Sequence, residues 1–476
     1  MKGSKFHNDH RSVLNTDAFD KRRFKEIFEM SQGLQNLRDE GVLPTFEPLL
    51  ADIWASFYKM KPEMTAVDVD SDLMINKLLM ERMMADEYFK RYRSFTRLDD
   101  VSSAIGTMKF GESTNKWLSD QKAQDEDLHK RMQEIHALLG QLQEQEWQEE
   151  AERGNQPIEE AIAKLKEKLQ QTLRDNRESF SQAMAQAMQE TKQVKEGLKS
   201  LLGGLSAGRG DAELKKVPLR DQLALAEKIA TDKKMKEIAD WAGRFKQIAR
   251  KKQKTKHRES MEKRGVTLGN DMERLLPTEF ALYMHPITKT DFLRRFVEGQ
   301  TMQFKQKGRE VLEKGPIVFC LDQSGSMYNL DTQSKGFILA LMSIARKQRR
   351  DFCVIVFSTR TQIYHFKKGK MKASELLRLA RTFLGGGTNF ALPLDEAVNI
   401  INESRFKQAD VIFVTDGEDR VKDSFLEAFN KKRQEKSFHV LSLVIGCSTS
   451  MVEPFSDKVV QVKDFNDDGS FRAFEM

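Results

Sequence analysis

The sequence predicts a large all-α region followed by a C-terminal α/β domain with a doubly wound, mainly parallel sheet, in one chain of 476 residues. Two observations carry this prediction. Apolar residues recur with the period of a helix up to about residue 202, whereas from about residue 316 short apolar runs alternate with stretches long enough for a helix. Near-continuous apolar strands joined by such crossovers are typical of a parallel sheet covered on both faces.

The composition indicates extended helices beside a compact core. Charged residues make up 32% of the chain and hydrophobic residues 39%, and the charged share exceeds the roughly 25% of an average globular domain. No apolar run approaches the roughly 20 residues that cross a bilayer, and the start of the chain lacks the apolar segment of a signal peptide. We therefore expect a cytoplasmic protein without a transmembrane segment.

The cysteines and the net charge indicate neither thiol chemistry nor a polyanion-binding domain. Each of the three cysteines, Cys320, Cys353 and Cys447, lies in an apolar, strand-like run. Such positions favour reduced thiols in a core over a disulfide or zinc framework. The formal net charge is only +7 for the whole chain.

The region 1–202 is expected to be helical, and its clearest signal lies near residues 46–58. Apolar side chains there form one stripe with the spacing of a helix: Phe46, Leu49, Leu50, Ile53, Trp54, Phe57 and Tyr58. Such a stripe indicates an amphipathic helix that buries this face against a partner.

Two further seams predict an antiparallel helical hairpin over about 126–202. The seams are Leu128, Met132, Ile135, Leu139 and Leu142, then Ile158, Ile162, Leu165 and Leu169. Alternating spacings of three and four are typical of coiled-coil-like packing. Gly154 and Pro157 lie between the seams, where glycine ends a helix and proline begins one. A turn there lets one chain satisfy both seams, so a hairpin is favoured over self-association.

A glycine-rich stretch and a basic stretch separate the two regions. Residues 203–218 are expected to form a flexible linker, and 219–313 a helical and basic connecting region. Within the latter, 244–264 hold ten Lys or Arg against two Glu. This run is typical of a solvated helix end. Binding of nucleic acid or anionic lipid is the less favoured interpretation, because aromatic residues are not interleaved between Arg250 and Arg258.

The α/β domain is expected over 314–476. Its predicted parallel strands are 317–321, 352–357, 411–415 and 438–445. Residues 362–366 follow the second strand too closely for a crossover helix, so we expect an antiparallel strand at the sheet edge.

Three loops are predicted to bring oxygen ligands to one end of this sheet. Asp322, Ser324 and Ser326 follow the first strand, Thr388 lies in a Gly-Gly-Gly-Thr loop, and Asp416 follows the strand 411–415. Open α/β sheets bind ligands at the carboxyl ends of their strands. Two carboxylates and three hydroxyls suit a hard cation, with Mg²⁺ expected and Mn²⁺ or Ca²⁺ as alternatives. The two carboxylates only just balance a divalent charge, so a carboxylate of a partner is a natural last ligand.

These five residues resemble the metal-ion-dependent adhesion site (MIDAS) of von Willebrand factor A (VWA) domains. The resemblance covers about residues 314–476 and includes all five family positions in order. It implies a Rossmann-like fold in which Ser324, Ser326 and Thr388 contact the ion, with Asp322 and Asp416 close by or bridged through water. The alternative, in which the same residues only cap a helix and form a turn, explains each loop but not their coincidence.

The order of the regions resembles the bacterial ViaA type of VWA protein. The features are a long helical region, the sequence Leu-Leu-Pro-Thr-Glu-Phe at 275–280, and a C-terminal A domain entered through Gly315 and Pro316. The resemblance implies a MoxR-family AAA+ ATPase and an unidentified protein client as partners. The chain lacks a GxxxxGK[ST] loop, and Ser324 stands where a haloacid dehalogenase carries a second aspartate. We therefore expect a non-enzymatic, metal-dependent protein-binding adaptor.

Two other functions stay open as alternatives. An RNA-binding protein resembling the Ro autoantigen also joins helices to an A domain. Its RNA affinity should fall steeply with salt and depend on Arg250 to Arg258 rather than on Asp322. A chelatase-like subunit, which takes part in inserting a metal into a tetrapyrrole, also implies a separate AAA+ partner.

Overall fold

The computed structural model describes most of the chain. The described residues are 11–65, 69–145, 155–204, 214, 217–259, 263–272, 275–306, 315–403, 406 and 409–475. They divide into two compact units. The first takes its residues from Met1–Gly203, Gly208–Asp240 and Ala373–Leu377, and the second from Gly204–Ala207, Trp241–Lys372 and Arg378–Met476.

The first unit is helical, as expected. Its helices are α1 (Ala18–Met30), α2 (Gln32–Asp39), α3 (Phe46–Tyr58), α4 (Met74–Ala85), α5 (Glu87–Arg93), α6 (Asp100–Gln124), α7 (Glu126–Gln145), α8 (Asn155–Asp175), α9 (Arg177–Leu202) and α10 (Leu219–Thr231). Across the described residues of both units, no helix is apolar over a length that could cross a membrane.

Helix α3 carries the predicted apolar stripe, and α6 is a partner that covers it. The rings of Phe57 on α3 and Phe110 on α6 pack edge to face with centroids 5.1 Å apart. Two glycines allow this approach: a Cβ on Gly111 would lie 2.5 Å from Leu50 Cδ2, and one on Gly106 would lie 3.1 Å from the Phe57 ring. A larger residue at Gly111 would therefore force the buried Leu50 side chain to shift.

Helices α7 and α8 pack against each other along the predicted seams. Leu128, Met132, Ile135, Ile162, Leu165 and Leu169 are all buried. Lys168, late in α8, pairs with Asp125 just before α7, with Nζ and Oδ2 2.8 Å apart, so the two helices are antiparallel. The second arm differs from the expectation because it breaks at Asn176 into α8 and α9. Residues 146–154 and the side chains of Leu139, Leu142 and Ile158 lie outside the described residues, and a coiled coil stays a prediction.

The division into units differs from the predicted domain boundaries. Helix α10, expected in a separate connecting region, packs within the helical unit. Its Glu227 Oε1 accepts hydrogen bonds from Ser31 Oγ at 2.6 Å and from Gly33 N at 3.0 Å, and its Leu223 is buried. An amphipathic helix gains more from joining an existing core than from solvation. The linker residues 205–213, 215 and 216 lie outside the described residues, so their flexibility stays a prediction.

Helix α11 (Lys233–Glu259) begins in the first unit and continues into the second from Trp241. In the second unit its Phe245 ring packs edge to face on Phe337, with centroids 5.5 Å apart. The contact is close: a Cβ on Gly336 would lie 2.5 Å from Trp241 Cβ. The α/β unit is therefore covered by a helix that begins well before the boundary expected at 314.

Two strands occur in the region expected to be only helical and basic, which corrects that expectation. Strands β1 (Lys263–Gly269) and β2 (Thr301–Gln306) form an antiparallel pair, and the helices α12 (Pro277–Met284) and α13 (Lys289–Val297) lie between them in sequence. Leu268 and Met302 face each other in the register, yet both are exposed. Short strands of mixed polarity carry no clear period, so the sequence pattern does not reveal them.

The predicted α/β sheet is present. Its strands are β3 (Ile317–Asp322), β4 (Phe352–Phe357), β5 (Thr361–Phe366), β6 (Asp410–Thr415), β7 (His439–Ile445) and β8 (Lys458–Val462), in the order β5-β4-β3-β6-β7-β8. All neighbours are parallel except β5, which is the expected antiparallel edge strand. The associated helices are α14 (Asp331–Gln348), α15 (Ala373–Arg381), α16 (Ala391–Asn402) and α17 (Asp423–Lys436). Strand β8 was not predicted.

The three cysteines are free thiols, as expected. Cys320 and Cys353 are buried in β3 and β4, and burial raises the pKa of both. Cys447 differs from the expectation because it follows the end of β7 and is only half-buried. Burial again raises its pKa, helped by the charges of Glu418 and Asp416. Raised pKa values keep thiols protonated and weakly reactive.

Candidate metal site

The loops after β3 and β6 meet at one end of the sheet because these strands are neighbours. Leu321 of β3 pairs with Val414 of β6, so the residues that follow, Asp322 and Thr415, lie side by side. Thr415 Oγ1 donates a hydrogen bond of 2.6 Å to Asp322 Oδ2. The parallel arrangement thus brings the first and third predicted loops together.

The second loop, between α15 and α16, is fastened to the first by backbone hydrogen bonds. Gly325 N donates to Gly386 O at 2.9 Å, and Gly385 N donates to Gln323 O at 2.9 Å. Gly385 and Gly386 have φ values of 64° and 85°, a region that glycine adopts without the steric cost of a Cβ. The glycine run therefore has a structural reason: it allows this loop to turn onto the first.

Four of the five predicted ligands form one chain of contacts. Ser324 N donates to Asp322 Oδ1 at 2.8 Å, and the hydroxyl oxygens of Ser324 and Ser326 are 3.1 Å apart. Ser326 Oγ in turn donates to Asp416 Oδ1 at 2.8 Å. These side chains point to a common place, as the sequence predicts.

The fifth predicted ligand, Thr388, lies at the same place, next to Gly417. A Cβ built on Gly417 would lie 3.0 Å from Thr388 Oγ1 and 3.4 Å from Asp322 Oδ2. The Gly417 amide also donates to Thr415 Oγ1 at 2.9 Å. Thr415 and Gly417 are thus parts of the site that sequence analysis missed, although both flank Asp416 in the motif Thr-Asp-Gly.

The electrostatics of the site favour an added positive charge. Burial raises the pKa of Asp322, and the nearby Asp416 raises it further, while hydrogen bonds from Thr415 and Ser324 lower it. Burial likewise raises the pKa of Asp416, against a lowering by the Ser326 hydroxyl. The largest influences on the pKa of these two carboxylates include no lysine or arginine. A cation bound beside them would stabilise their charged forms.

The donor set fits a hard cation. It consists of two carboxylates and three hydroxyls, all oxygen ligands of the kind that Mg²⁺ and Ca²⁺ prefer. In the described parts of the chain, no group of three or more His, Cys, Asp or Glu side chains is placed to hold a metal. A zinc centre relies on histidine or cysteine ligands, which the five predicted ligands do not include, and that a metal binds here stays a prediction.

A buried polar network lies directly behind the first two loops. Lys335 Nζ on α14 donates to Asp331 Oδ2 at 2.8 Å, to Ala380 O at 2.8 Å and to Thr382 O at 2.6 Å. Gln323 Nε2, between two predicted ligands, reaches Asp331 Oδ1 and Thr382 O, each at 3.3 Å. We call these five residues the Lys335 network. It joins the loop of Ser324 to the chain that leads to Thr388.

The two acidic residues after Asp416 have different roles. Asp419 Oδ2 accepts a hydrogen bond of 2.7 Å from Phe390 N, so it fastens the loop that precedes α16. Glu418 is exposed and makes no contact with the five predicted ligands among the described hydrogen bonds. Glu418 is therefore close to Asp416 in sequence but is not part of the candidate site.

The basic stretch 244–264 is partly engaged in contacts within its own unit. The Arg244 guanidinium lies 5.2 Å from the centre of the Trp241 ring, and Lys252 Nζ lies 3.7 Å from Glu475 Oε1. The side chains of 254–264 lie outside the described residues. Binding of nucleic acid or anionic lipid by this stretch stays a prediction.

Comparisons with known proteins agree with this architecture. Residues 317–418 match the family model of the von Willebrand factor type A domain. The chain is 28% identical to the uncharacterized protein MJ0811 of Methanocaldococcus jannaschii over 98% of its own length and 99% of that protein. It is 32% identical to MJ0077 of the same organism, over 57% of this chain and 70% of that protein. It is also 30% identical to the regulatory protein ViaA of Proteus mirabilis, over 38% of this chain and 41% of that protein.

Proposed function

This chain is a VWA domain protein that belongs to the same family as MJ0077 and resembles ViaA. From that premise we propose that it is a non-enzymatic, metal-dependent adaptor. In this proposal its VWA domain binds Mg²⁺ and, through it, an acidic residue of a protein partner. The helical unit docks on a MoxR-family AAA+ ATPase. The regulatory name of ViaA and the absence of a nucleotide-binding lysine loop in the sequence both support a role that depends on a separate source of energy.

One observation carries the proposal: the predicted ligands from three separate loops converge. The hydrogen bond from Ser326 to Asp416 spans 90 residues of sequence, and the parallel pairing of β3 with β6 makes it possible. Helix capping by each loop alone does not require this convergence.

In the proposed complex, Ser324, Ser326 and Thr388 hold the cation directly, while Asp322 and Asp416 balance its charge from close by or through water. When bound, Mg²⁺ supplies a coordination position that favours an anionic oxygen. Because the two carboxylates of this chain only just balance the charge of the cation, the cation can still accept a carboxylate oxygen of the partner as its last ligand. Metal and partner should therefore bind cooperatively.

Metal binding is tested by titrating the purified full-length chain with Mg²⁺ or Mn²⁺ in a calorimeter. Asp416→Asn removes a charge but keeps the size of the side chain, so we expect at least a tenfold loss of affinity, or roughly 1.4 kcal/mol. Ser326→Ala should also weaken binding. The matched control is Glu418→Gln, which removes a charge two residues from Asp416 but outside the site. Equal affinities in all three variants would contradict the site.

Partner binding is tested by affinity purification from native lysate with Mg²⁺ present. We expect a MoxR-family ATPase and a client to be recovered with the wild-type chain. Recovery of the client should fall with Asp322→Ala and with chelator, whereas that of the ATPase, which docks on the helices, should persist. Undiminished client recovery in both cases would argue against a contact through metal.

A further inference from the structure

An exposed aromatic pair lies beside the candidate metal site. Tyr328 belongs to the short 3-10 helix Gly325–Leu330, two residues after the ligand Ser326. Tyr328 is 70% exposed, more than any other phenylalanine, tyrosine or tryptophan in the described parts of the chain. Its ring packs edge to face on Phe383, with centroids 5.5 Å apart and an interplanar angle of 82°.

The pair is fixed in position relative to the site. Tyr328 follows the first ligand loop, and Phe383 precedes the second loop by two residues. Two backbone hydrogen bonds, from Gly325 N to Gly386 O and from Gly385 N to Gln323 O, join the two segments that carry the rings. The ring pair and the candidate ligands therefore belong to the same two joined loops.

We propose that Tyr328 and Phe383 form an aromatic platform that binds an apolar side chain of the same partner segment whose carboxylate completes the cation site. This inference rests on the proposed function and specifies its partner. The segment carries an acidic residue with a proline, aliphatic or aromatic residue close to it in sequence. The platform is the specificity element, and the cation is the anchor.

The spacing follows from chain geometry. A 3-10 helix rises about 2 Å per residue, so the backbone of Tyr328 lies roughly 4 Å along the axis from that of Ser326. An extended peptide advances about 3.3 Å per residue. The apolar side chain should therefore stand one to three positions from the acidic residue.

The cation and the aromatic platform contribute differently to partner binding. A cation accepts any accessible carboxylate, so by itself it selects charge and not sequence. An exposed tyrosine offers a large apolar ring with little conformational entropy to lose, and tyrosine is enriched among the side chains that dominate interface energies. Adding the platform to the cation therefore converts a general preference for acidic groups into a preference for particular segments.

The test is a selection from a peptide library in which a central aspartate is fixed and the three positions on each side are random. The full-length chain is presented with Mg²⁺, and parallel selections use chelator, Tyr328→Ser, Tyr328→Phe and Asp416→Asn. A matched control is Phe95→Ser, because Phe95 is 62% exposed but belongs to the helical unit. Since Tyr328 and Phe95 are exposed, both serine variants should fold, which circular dichroism checks.

We expect the wild-type chain, Tyr328→Phe and Phe95→Ser to select peptides with apolar residues beside the aspartate. This enrichment should occur with Mg²⁺ and should disappear with chelator. Tyr328→Ser should lose that enrichment and bind the best peptide about tenfold more weakly, while still requiring Mg²⁺. Asp416→Asn should bind none of the peptides.

The outcomes separate this inference from the function on which it rests. Selection of aspartate peptides with Mg²⁺ but without apolar neighbours would overturn the platform and leave the adaptor standing. No Mg²⁺-dependent selection at all would overturn both. Displacement of the peptides by single-stranded RNA, with RNA binding that needs Tyr328 but not Mg²⁺, would mean that the platform stacks bases instead.

Discussion

At the scale of single residues, the helical unit contains a buried carboxylate, Asp52, which the largely apolar sequence of α3 gives no reason to expect. Asp52 is completely buried, and it accepts hydrogen bonds from the Ser12 hydroxyl and, at 3.2 Å, from Val13 N. It thereby holds the segment before α1 against α3. Burial raises the pKa of Asp52 from 3.8 to about 7, although these hydrogen bonds oppose the shift.

This shift predicts a pH-dependent stability. Below about pH 4 Asp52 is protonated in both the folded and the unfolded chain. As the pH rises from about 4 to about 7 only the unfolded chain loses the proton, so the free energy of unfolding falls, by about 4 kcal/mol at most. Asp52→Asn should remove this fall. Urea unfolding of both proteins at pH 4.5 and pH 7.5, followed by tryptophan fluorescence, measures it.

The control for this prediction is Asp39→Asn, which neutralises an aspartate whose side chain is 64% exposed. It should leave the pH dependence of the wild-type chain unchanged. If the difference between the wild-type chain and Asp52→Asn were the same at both pH values, the raised pKa of Asp52 would be refuted.

Residues were predictable from the sequence where a motif carries its own spacing. Asp322, Ser324 and Ser326 stand within five residues, and Asp416 sits at the end of an apolar strand, so the pattern itself indicates the chemistry. Asp52 lies within an apolar helix and its partner Ser12 is 40 residues away, while Lys335 pairs with the nearby Asp331 but also donates to a carbonyl group 45 residues away. Nothing local marks a buried charge whose partners come from distant parts of the chain.

At the scale of elements, the Lys335 network ties α14 to the chain that follows α15. The side chains of Lys335 and Asp331 are 1% and 5% exposed, and the lysine also satisfies two carbonyl groups. Buried charges are costly unless they are paired and hydrogen-bonded. The network meets this condition, and it connects α14 to the loops of the candidate metal site.

Removal of one partner from this network should lower the free energy of unfolding substantially. Lys335→Met removes the ammonium group that pairs with the buried Asp331 and donates to two carbonyl groups, and we expect a loss of about 3 to 5 kcal/mol in the free energy of unfolding. Replacing Asp331 by leucine as well should recover part of the loss, because the buried negative charge is then gone. Urea-dependent hydrogen exchange of β3 measures the free energy in this unit.

The control here is Arg294→Met, which breaks the exposed pair with Asp291, where N and O are 3.0 Å apart. Exposed pairs contribute roughly 0 to 1 kcal/mol, so little change is expected. A loss from Lys335→Met no larger than that of the control would show that the network does not stabilise the unit.

Strands were predictable from the sequence when both of their faces are buried. The strands β3, β4, β6 and β7 are almost fully buried, so their sequences are continuously apolar. Strand β8 lies at an edge and alternates in burial, and β1 and β2 form a small sheet with exposed apolar residues. Such strands are stabilised by pairing with particular neighbours, which the local composition does not encode.

At the scale of the whole molecule, the chain combines two compact units with separate tasks in the proposed function. The helical unit has a core of its own that extends from Val13 to Leu223, and the α/β unit has a separate core around β3, β4 and β6. One boundary between them falls within the continuous helix α11, between Asp240 and Trp241. Composition and periodicity could not place it there, because a long helix keeps the same helical spacing of apolar residues on both sides of the boundary.

Binding of Mg²⁺ should slow hydrogen exchange in the α/β unit but not in the helical unit. At a Mg²⁺ concentration about 100 times the dissociation constant, binding to the folded site adds about 2.7 kcal/mol to the free energy of unfolding. Hydrogen exchange should slow in β3 and β6 and stay unchanged in α3. Asp416→Asn should abolish the effect. Equal protection of α3 and β3 would indicate that Mg²⁺ acts elsewhere on the chain.

The wide sequence separation of the ligand loops also has a consequence for biosynthesis. Asp322 leaves the ribosome 93 residues before Thr415, the residue to which it is hydrogen-bonded, so a nascent chain that stops before β6 cannot assemble the candidate cation site. Contacts of this range form late and depend on loop closure. In the cell, metal capture would therefore mark chains whose translation has passed β6 and whose central strands have already paired.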